Sequence, residues 1–357
     1  MLRSYFITSI RTLYRNKVYS AINIAGLALG IAAAFSIAKY VGFTFTYDNF
    51  HQHKDHVFLI QQTETKNGLQ RDEQASTYWG VATMAAELYP EVVHATHFSF
   101  NAEMLVMTTG GGKTVSFNEN RVCTVDTSFF SIFSFPVIAG DMSTALSVPN
   151  AIVLTESVAT KYFGERDPIG QVMTTRMSWG AETSHKVTAV IEDVPINSTL
   201  QFDFLICAGL GPAVETYWLD PSHTTYLLLD EHADPAALAR KMSGEMGTSA
   251  TLKADGKEIS FSLRQLSDIK LTPNQRMLAM IGVFILVISW INFINLSTGR
   301  ARSRAKETGI RKVVGATRKQ LTGQIILECL LINSIALILA LGFFVVASAW
   351  LSQMGNN

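Results

Sequence analysis

Three long apolar runs constrain this 357-residue chain more than any other feature of its sequence. They extend from Ala21 to Phe45, from Met277 to Leu296 and from Ile325 to Leu351. Each holds about 20 residues or more, and a helix of that length, rising about 1.5 Å per residue, crosses the roughly 30 Å of hydrocarbon in a bilayer. The first run is too long for the apolar part of a signal peptide, which holds about 7 to 15 residues. The sequence therefore predicts three transmembrane helices.

The distribution of charge predicts the orientation of these helices. The 29 basic and 29 acidic residues cancel overall, but the first 20 residues are basic without an acid, and the segment after the second apolar run is also strongly basic. Residues 47–275 contain nearly all the acids. Short loops rich in Lys and Arg stay in the cytoplasm. We therefore expect a cytoplasmic N-terminus and a large acidic domain on the outer side.

The segment between the first two apolar runs alternates between strand-like and helix-like stretches. The strand-like stretches are short, rich in β-branched or aromatic residues and bounded by turn residues. They are Val57 to Gln62, Met104 to Met107, Ile152 to Leu154, Lys186 to Ile191 and Tyr226 to Leu229. The helix-like stretches are Tyr78 to Tyr89, Ser157 to Phe163, and Pro235 to Met246 after Asp234 as N-cap. The predicted fold is a membrane α-helical protein with a two-lobed extracytoplasmic α+β domain that contains βαβ-type units.

Glycines and polar caps shape the membrane segments. Gly26 and Gly30 form a small-xxx-small pair that would let another helix approach closely, although glycine is also simply common in membrane helices. After the second apolar run, Gly315 stands as a helix stop, and Thr317 with Gln320 forms a capping box for the next helix. The sequence thus predicts a short, charged helical elbow between two membrane spans.

Candidate sites for chemistry are weak. Gly110 to Thr114 looks like the end of a phosphate-binding loop, but Met107 occupies a glycine position and Thr114 to Phe117 is strand-like, which favours a hairpin. Several histidines lie near one another in sequence, yet no HExxH pattern or cysteine partner supports a metal site. They are His51, His53, His56, His94 and His97. The sequence leaves open a disulfide between Cys123 and Cys207. We expect no catalytic residues, no metal and no cofactor.

The elbow carries a family resemblance. The stretch from Asn295 to Gln320 strongly resembles the signature of FtsX-like permeases of the MacB family. Arg15-Asn-Lys followed by Ile24 to Ile31 agrees with it, and Leu154 to Gly170 looks like the family's periplasmic core domain. Tyr47-Asp-Asn-Phe-His resembles the start of that domain in Bacteroidetes-type members, so His51 is a family feature.

The resemblance implies a multi-pass protein of the bacterial inner membrane, with its large domain in the periplasm. It implies a non-catalytic permease of an ABC transporter that works by mechanotransmission and exports or extracts an antimicrobial, a peptide or a lipoprotein. The implied partners are a MacB-type ATPase, a second permease copy or module, and membrane lipids, with no nucleic acid. The implied ATPase-coupling residues are Arg304, Glu307, Gly309, Ile310, Arg311, Lys312, Gly315 and Ala316.

Two other functions stay open. One is an FtsX-like signalling protein that regulates a periplasmic cell-wall hydrolase, and the other is a membrane-anchored receptor whose basic elbow only sets its orientation. Family modules have four membrane helices and this chain has three apolar runs, which predicts a truncated product or a fragment.

The predicted domain order runs from the cytoplasm through the membrane and back. It is an amphipathic cytoplasmic helix at 1–20, a transmembrane helix at 21–46, the periplasmic core domain at 47–275, a transmembrane helix at 276–297, the cytoplasmic coupling segment at 298–322 and a transmembrane helix at 323–352.

Overall fold

A computed structural model describes most of the chain. It covers residues 2–15, 17–101, 103–110, 113–177, 180–207, 218, 221–268, 273–299, 305, 308–310, 312–315 and 317–354. The chain divides into two compact units. One is Met1–Phe45 with Lys270–Asn357, called here the membrane unit, and the other is Thr46–Ile269, called the outer unit.

Long apolar helices dominate the membrane unit. The helices whose bounds the structure describes are α1 Leu2–Arg15, α2 Lys17–Thr44, α3 Gly80–Leu88, α4 Phe129–Ile132, α5 Glu156–Phe163, α6 Pro235–Glu245, α7 Ala250–Ala254, α8 Pro273–Gly299 and α9 Arg318–Met354. Among the described residues, α2, α8 and α9 are long and apolar enough to cross a membrane, which confirms the predicted spans. Each helix starts before its apolar run, because the run marks only the part that hydrocarbon would surround, whereas the backbone hydrogen bonds continue into polar residues.

One mixed sheet organises the outer unit. Its strands are β1 Val57–Lys66, β2 Leu69–Gln70, β3 Ser76–Thr77, β4 Val92–Phe100, β5 Met104–Gly110, β6 Lys113–Glu119, β7 Val122–Val125, β8 Val137–Gly140, β9 Ala151–Thr155, β10 Val172–Met177, β11 Glu182–Ile191, β12 Phe204–Cys207, β13 His223–Leu229 and β14 Lys257–Gln265. They lie in the order β14-β1-β13-β4-β7-β12-β9-β11-β10-β5-β6, with β2 beside β1, β3 beside β13 and β8 beside β11. All five predicted strands are present.

Among the described strands, most pairs are antiparallel and two are parallel. Strand β9 runs parallel to β11, with α5 between them in the chain, and β7 runs parallel to β12. The predicted βαβ pattern therefore describes the β9-α5-β11 region, while hairpins and long returns build the rest. The three predicted helices correspond to α3, α5 and α6. The Asp234 carboxylate accepts hydrogen bonds from the backbone N–H groups of Ala236 and Ala237, as expected for the N-cap of α6.

Alternating side chains give the sheet two buried faces. In β12, Leu205 and Cys207 contribute to an aromatic-rich core that also contains Phe129 and Phe202, while Phe204 and Ile206 point to the opposite face. On that opposite face, one core lies under α3 and α6 at the β1 side of the sheet, and a second lies under α5 near β9. These two cores lie toward opposite ends of one continuous sheet, and the division into two lobes stays a prediction.

The two cysteines of the outer unit, Cys123 and Cys207, are buried and form no disulfide. Cys123 and Cys207 lie on the neighbouring parallel strands β7 and β12, but Cys123 is paired with Leu205, so Cys207 is two residues out of register with it. The Cys207 thiol donates to the Leu146 carbonyl oxygen at 3.1 Å. Burial raises the pKa of the Cys123 thiol to about 12. Both residues act as small core side chains.

Candidate functional site

The elbow, defined as residues 305–317, contains the predicted coupling residues that the structure describes. Gly309, Ile310 and Lys312 lie in its helical part, and the Val314 N–H donates to the Ile310 carbonyl oxygen at 3.2 Å. Gly315 ends this helix with φ +101°, a backbone angle that favours glycine. Four of the predicted coupling residues, Arg304, Glu307, Arg311 and Ala316, lie outside the described residues.

The structure describes one of the two hydrogen bonds of the predicted capping box, the one from the Thr317 backbone to the Gln320 side chain. The Thr317 backbone N–H donates to Gln320 Oε1 at 2.9 Å. The Leu321 N–H then donates to the Thr317 carbonyl oxygen at 3.2 Å, which starts α9. The glycine stop at Gly315 and the capped start at Thr317 are two positions apart in the sequence, so one helix ends shortly before the next begins.

The elbow has an exposed apolar face that was not predicted from the sequence. Ile310, Val313 and Val314 are 59%, 89% and 83% exposed. Their spacing of i, i+3 and i+4 places them on one side of a helical turn. Only Ile310 was predicted to function here. The spacing of these three β-branched residues could have predicted the apolar face. The prediction for this segment was based on its basic residues instead.

Small residues bring α2 and α8 together. A Cβ atom added to Gly30 would lie 1.9 Å from Ser289 Oγ, and one added to Gly26 would lie 3.1 Å from Asn292 Nδ2. One turn or more away, Gly282 of α8 faces Ile37 of α2 in the same manner. The structure thus places both predicted packing glycines against α8. Glycine at position 30 is required for this approach, because any side chain would overlap Ser289.

The side of α2 that packs on α9 is rich in alanine. Leu27, Ala28 and Ala32 pack against Ala336 and Ala340. Asn23 is fully buried one turn earlier, and neither atom of its side-chain amide has a hydrogen-bond partner within the described residues. The close packing of α2 on two helices means that its movement would displace both.

The start of the outer unit is held by a cluster that we call the junction, residues 46–51 with 195–201. Asp48 is buried and has φ +54°. Its carboxylate accepts hydrogen bonds from the Thr199 N–H at 2.8 Å, from the Ser198 hydroxyl at 3.2 Å and from the Thr199 hydroxyl. The Asp48 N–H donates to the Asn197 carbonyl oxygen at 2.9 Å. Asn197 Nδ2 in turn donates to the Thr46 carbonyl oxygen at 2.8 Å.

His51 completes the junction as a packed, neutral side chain. Its Nδ1 accepts a hydrogen bond from the Ser134 N–H at 3.1 Å, and its ring lies among the rings of Phe50, Phe133 and Phe135. Burial lowers its pKa to about 4. The Tyr47-to-His51 motif therefore fastens the chain to a segment about 150 residues further on, and Asn197, Ser198 and Thr199 were missed because only the folded chain brings them to Asp48.

The other sequence candidates have structural roles or remain unassigned. Gly110 pairs with Lys113 in the β5–β6 hairpin, which confirms the predicted hairpin in place of a phosphate-binding loop; Gly111 and Gly112 lie outside the described residues. Within the described part of the chain, no group of three or more His, Cys, Asp or Glu side chains could hold a metal ion.

In the 154–170 stretch, Lys161 Nζ and the Tyr162 hydroxyl both bind Glu119 Oε1 at 2.7 Å and fasten α5 to β6.

Comparison with protein families gives two matches along the chain. A MacB-like periplasmic core domain matches residues 20–244, and the C-terminal region of FtsX-like permeases matches residues 279–357. No curated protein is similar enough in sequence to match.

Solved structures resemble the outer unit. A domain of a permease protein from Porphyromonas gingivalis superposes with a TM-score of 0.51 at 20% identity and covers 64% of this chain and 99% of its own. The periplasmic region of MacB from Actinobacillus actinomycetemcomitans has a TM-score of 0.39 at 12% identity and covers 60% of this chain and 90% of its own. The extracellular domain of the ABC-type transporter YknZ from Gram-positive bacteria has a TM-score of 0.37 at 11% identity, covering 58% and 99%. At 20% identity, the similarity to the Porphyromonas gingivalis domain shows a shared fold and nothing more.

Proposed function

Because this chain belongs to the family of permeases that join a MacB-like periplasmic core domain to an FtsX-like C-terminal region, we propose that it works by mechanotransmission in an ABC transporter. In this proposal a separate MacB-type ATPase hydrolyses ATP in the cytoplasm and moves the membrane helices. The outer unit, in the periplasm, receives that movement and acts on an antimicrobial, a peptide or a lipoprotein. The chain itself carries out no chemistry.

The apolar face of the elbow is the observation that carries this proposal. Ile310, Val313 and Val314 are exposed together, with the exposed Lys312 beside them. Burying each such side chain contributes about 1.5 to 3 kcal/mol, so a partner that covers this face gains substantial affinity. An apolar centre with charged residues around it is also the usual composition of a protein interface. We therefore propose residues 298–322 as the segment that docks on the ATPase.

Two tightly held segments, one in each unit, support this proposal. Helix α2 packs closely on α8 through Gly30 and Ser289, and the chain continues from α2 into the junction. There Asp48 is held by three hydrogen bonds from Ser198 and Thr199. Since a loosely held entry segment would absorb displacement, these bonds within the outer unit support transmission of force rather than a passive anchor.

The substitution Val313→Asp tests the docking face. We expect it to abolish the stimulation of ATP hydrolysis that the permease gives to its MacB-type ATPase in proteoliposomes, because a charge at the centre of the face would have to be buried unpaired. Val313→Ile keeps an apolar side chain and should keep the stimulation. Reversal of charge at Arg311 and Lys312 should also abolish stimulation, by removing two positive charges from this basic segment.

The matched control is Leu69→Asp, which places the same charge on an exposed apolar residue of β2 in the outer unit. Stimulation should persist in this variant, and both variants should insert into membranes in equal amounts. If Val313→Asp stimulates the ATPase as fully as the parent chain does, the elbow is not the docking segment and the proposal is wrong.

A further inference from the structure

Ile196 is an exposed apolar residue at the corner of a tight turn in the junction. The Ser198 N–H donates to the Pro195 carbonyl oxygen at 2.9 Å and closes the turn. The Gln201 side-chain amide donates to the carbonyl oxygens of Pro195 and Ser198 at 2.8 and 2.9 Å and braces it from inside. Ile196 occupies the corner and is 79% exposed. The turn is therefore preorganised, with its apolar side chain directed away from the protein.

The position of this turn along the fold separates Ile196 from other exposed apolar residues. Its neighbour Asn197 donates to the carbonyl oxygen of Thr46 and to the Thr46 hydroxyl, at 2.8 and 3.2 Å. Thr46 follows Thr44, the last residue of the membrane-spanning helix α2, by two residues. Two residues of extended chain span at most about 7 Å. The turn is thus bonded to the chain two residues after α2 ends.

We propose that Ile196 inserts into the boundary between headgroups and acyl chains of the leaflet in which α2 ends, so that the 195–198 turn is a lipid contact. An apolar side chain leaves water at this depth, and the boundary is the layer in which interfacial segments bury their apolar side. The lipid surface is the occupant that continuity with α2 supports, because lipid surrounds the end of a membrane-spanning helix.

The polar groups of the turn do not oppose this placement. Asn197 Nδ2 already bonds to Thr46, and Gln201 Nε2 already bonds within the turn. Insertion of the isoleucine therefore leaves these donors with the partners they have, and no charged side chain occupies positions 195–198. The inference needs only that α2 spans the membrane, and it is independent of the ATPase, so its failure would leave the proposed function untouched.

A spin label at position 196 tests the inference in the full chain. Ile196→Cys is made in a Cys329→Ser background, since the remaining Cys123 and Cys207 are buried. The labelled protein is placed in liposomes of phosphatidylethanolamine and phosphatidylglycerol, and its collision rates with oxygen and with a water-soluble nickel chelate are measured. Oxygen concentrates in lipid and the chelate stays in water, so we expect an oxygen-to-nickel ratio several-fold above that of a label in water.

Leu69→Cys is the matched control. Leu69 is 77% exposed, almost as much as Ile196, and it pairs with Lys66 at the far end of β1. That end is about 30 Å from Val57 along the strand, at roughly 3.3 Å per residue. A label there should report water. Equal melting temperatures of the two variants and the parent would show that both fold.

Two results would overturn the inference. Equal oxygen-to-nickel ratios at positions 196 and 69 would place the isoleucine in water. Protection of position 196 from both reagents would mean that protein covers it, as in a contact with a second copy, and not lipid.

Discussion

At the scale of single residues, the junction shows how a short motif can be structural where its composition suggests ligand binding. His51 belongs to a run of histidines, yet it packs among three phenylalanine rings and accepts its hydrogen bond from a backbone N–H. The Asp48 carboxylate accepts hydrogen bonds from Ser198 and Thr199 of a distant loop. Both residues fix where the outer unit begins, and neither is exposed enough to meet a soluble ligand.

The buried His51 makes stability depend on pH. Its pKa is lowered by burial from 6.5 to about 4, so the unfolded chain takes up a proton at higher pH than the folded chain does. The contribution of neutral His51 to the free energy of unfolding should be complete above about pH 6.5 and should decrease as the pH falls toward 4. At roughly 1.36 kcal/mol per pKa unit, the total decrease is about 3 kcal/mol. Thermal unfolding of the full chain in detergent, recorded from pH 7 to pH 4.5, measures this.

His51→Asn serves as the comparison, because its side-chain oxygen can still accept from the Ser134 N–H but does not titrate. Its melting temperature should depend less on pH than that of the parent. Burial lowers the pKa of His185 as well, so some dependence of the same sign should remain in the variant. Identical pH profiles for the two proteins would count against a buried neutral His51.

Residue-scale prediction succeeded where function followed from local spacing and failed where it followed from the fold. The Asp234 cap and the Thr317–Gln320 box concern neighbours in sequence and were found. Asp48 and Thr199, which are joined by hydrogen bonds, are 151 positions apart in the sequence. No periodic pattern in either segment predicts this contact. Exposure of Val313 and Val314 is likewise a property of the folded elbow.

At the scale of elements, the contact between α2 and α8 depends on one glycine position more than on the rest. Gly30→Ala would place a methyl group 1.9 Å from Ser289 Oγ, and we expect this overpacking to lower stability by about 1 to 3 kcal/mol. Gly42→Ala, in the same helix, meets no atom within 4 Å and should gain up to about 1 kcal/mol of helix propensity. Melting temperatures of the two variants in detergent should therefore shift in opposite directions, and parallel shifts would contradict this packing.

Elements were easier to predict than their pairing. β-branched and aromatic stretches identified the strands, and capping residues and breakers identified α3, α5 and α6, because these signals lie within each segment. The order of the strands depends on contacts between distant segments. Thus β7 pairs with β12 across about 80 residues, and β1 lies between β13 and β14, the last two strands of the chain.

At the scale of the whole molecule, the proposed topology assigns the elbow and the outer unit to opposite sides of the membrane. We expect Leu69→Cys to react with a membrane-impermeant maleimide on intact spheroplasts, because position 69 would face the periplasm. Lys319→Cys, close to the elbow, should react only after the membrane is permeabilised. Labelling of both variants from outside would reverse or break the proposed orientation, and the buried Cys123 and Cys207 should stay unlabelled in either case.

The pairing of β1 with β14 has a mechanical consequence for the outer unit. The chain enters the sheet at the Val57 end of β1 and leaves it at the Gln265 end of β14, and Phe58 is directly opposite Gln265. Force applied through α2 and α8 would therefore act on two antiparallel strands at the same end. Strands loaded in this way open like a zipper, one hydrogen bond after another, and resist less than strands sheared along their length. The hydrogen bonds of Asp48 and Asn197 lie ahead of β1 in the chain. Tension that arrives through α2 would therefore load these bonds before it loads the first hydrogen-bonded residues of β1 and β14.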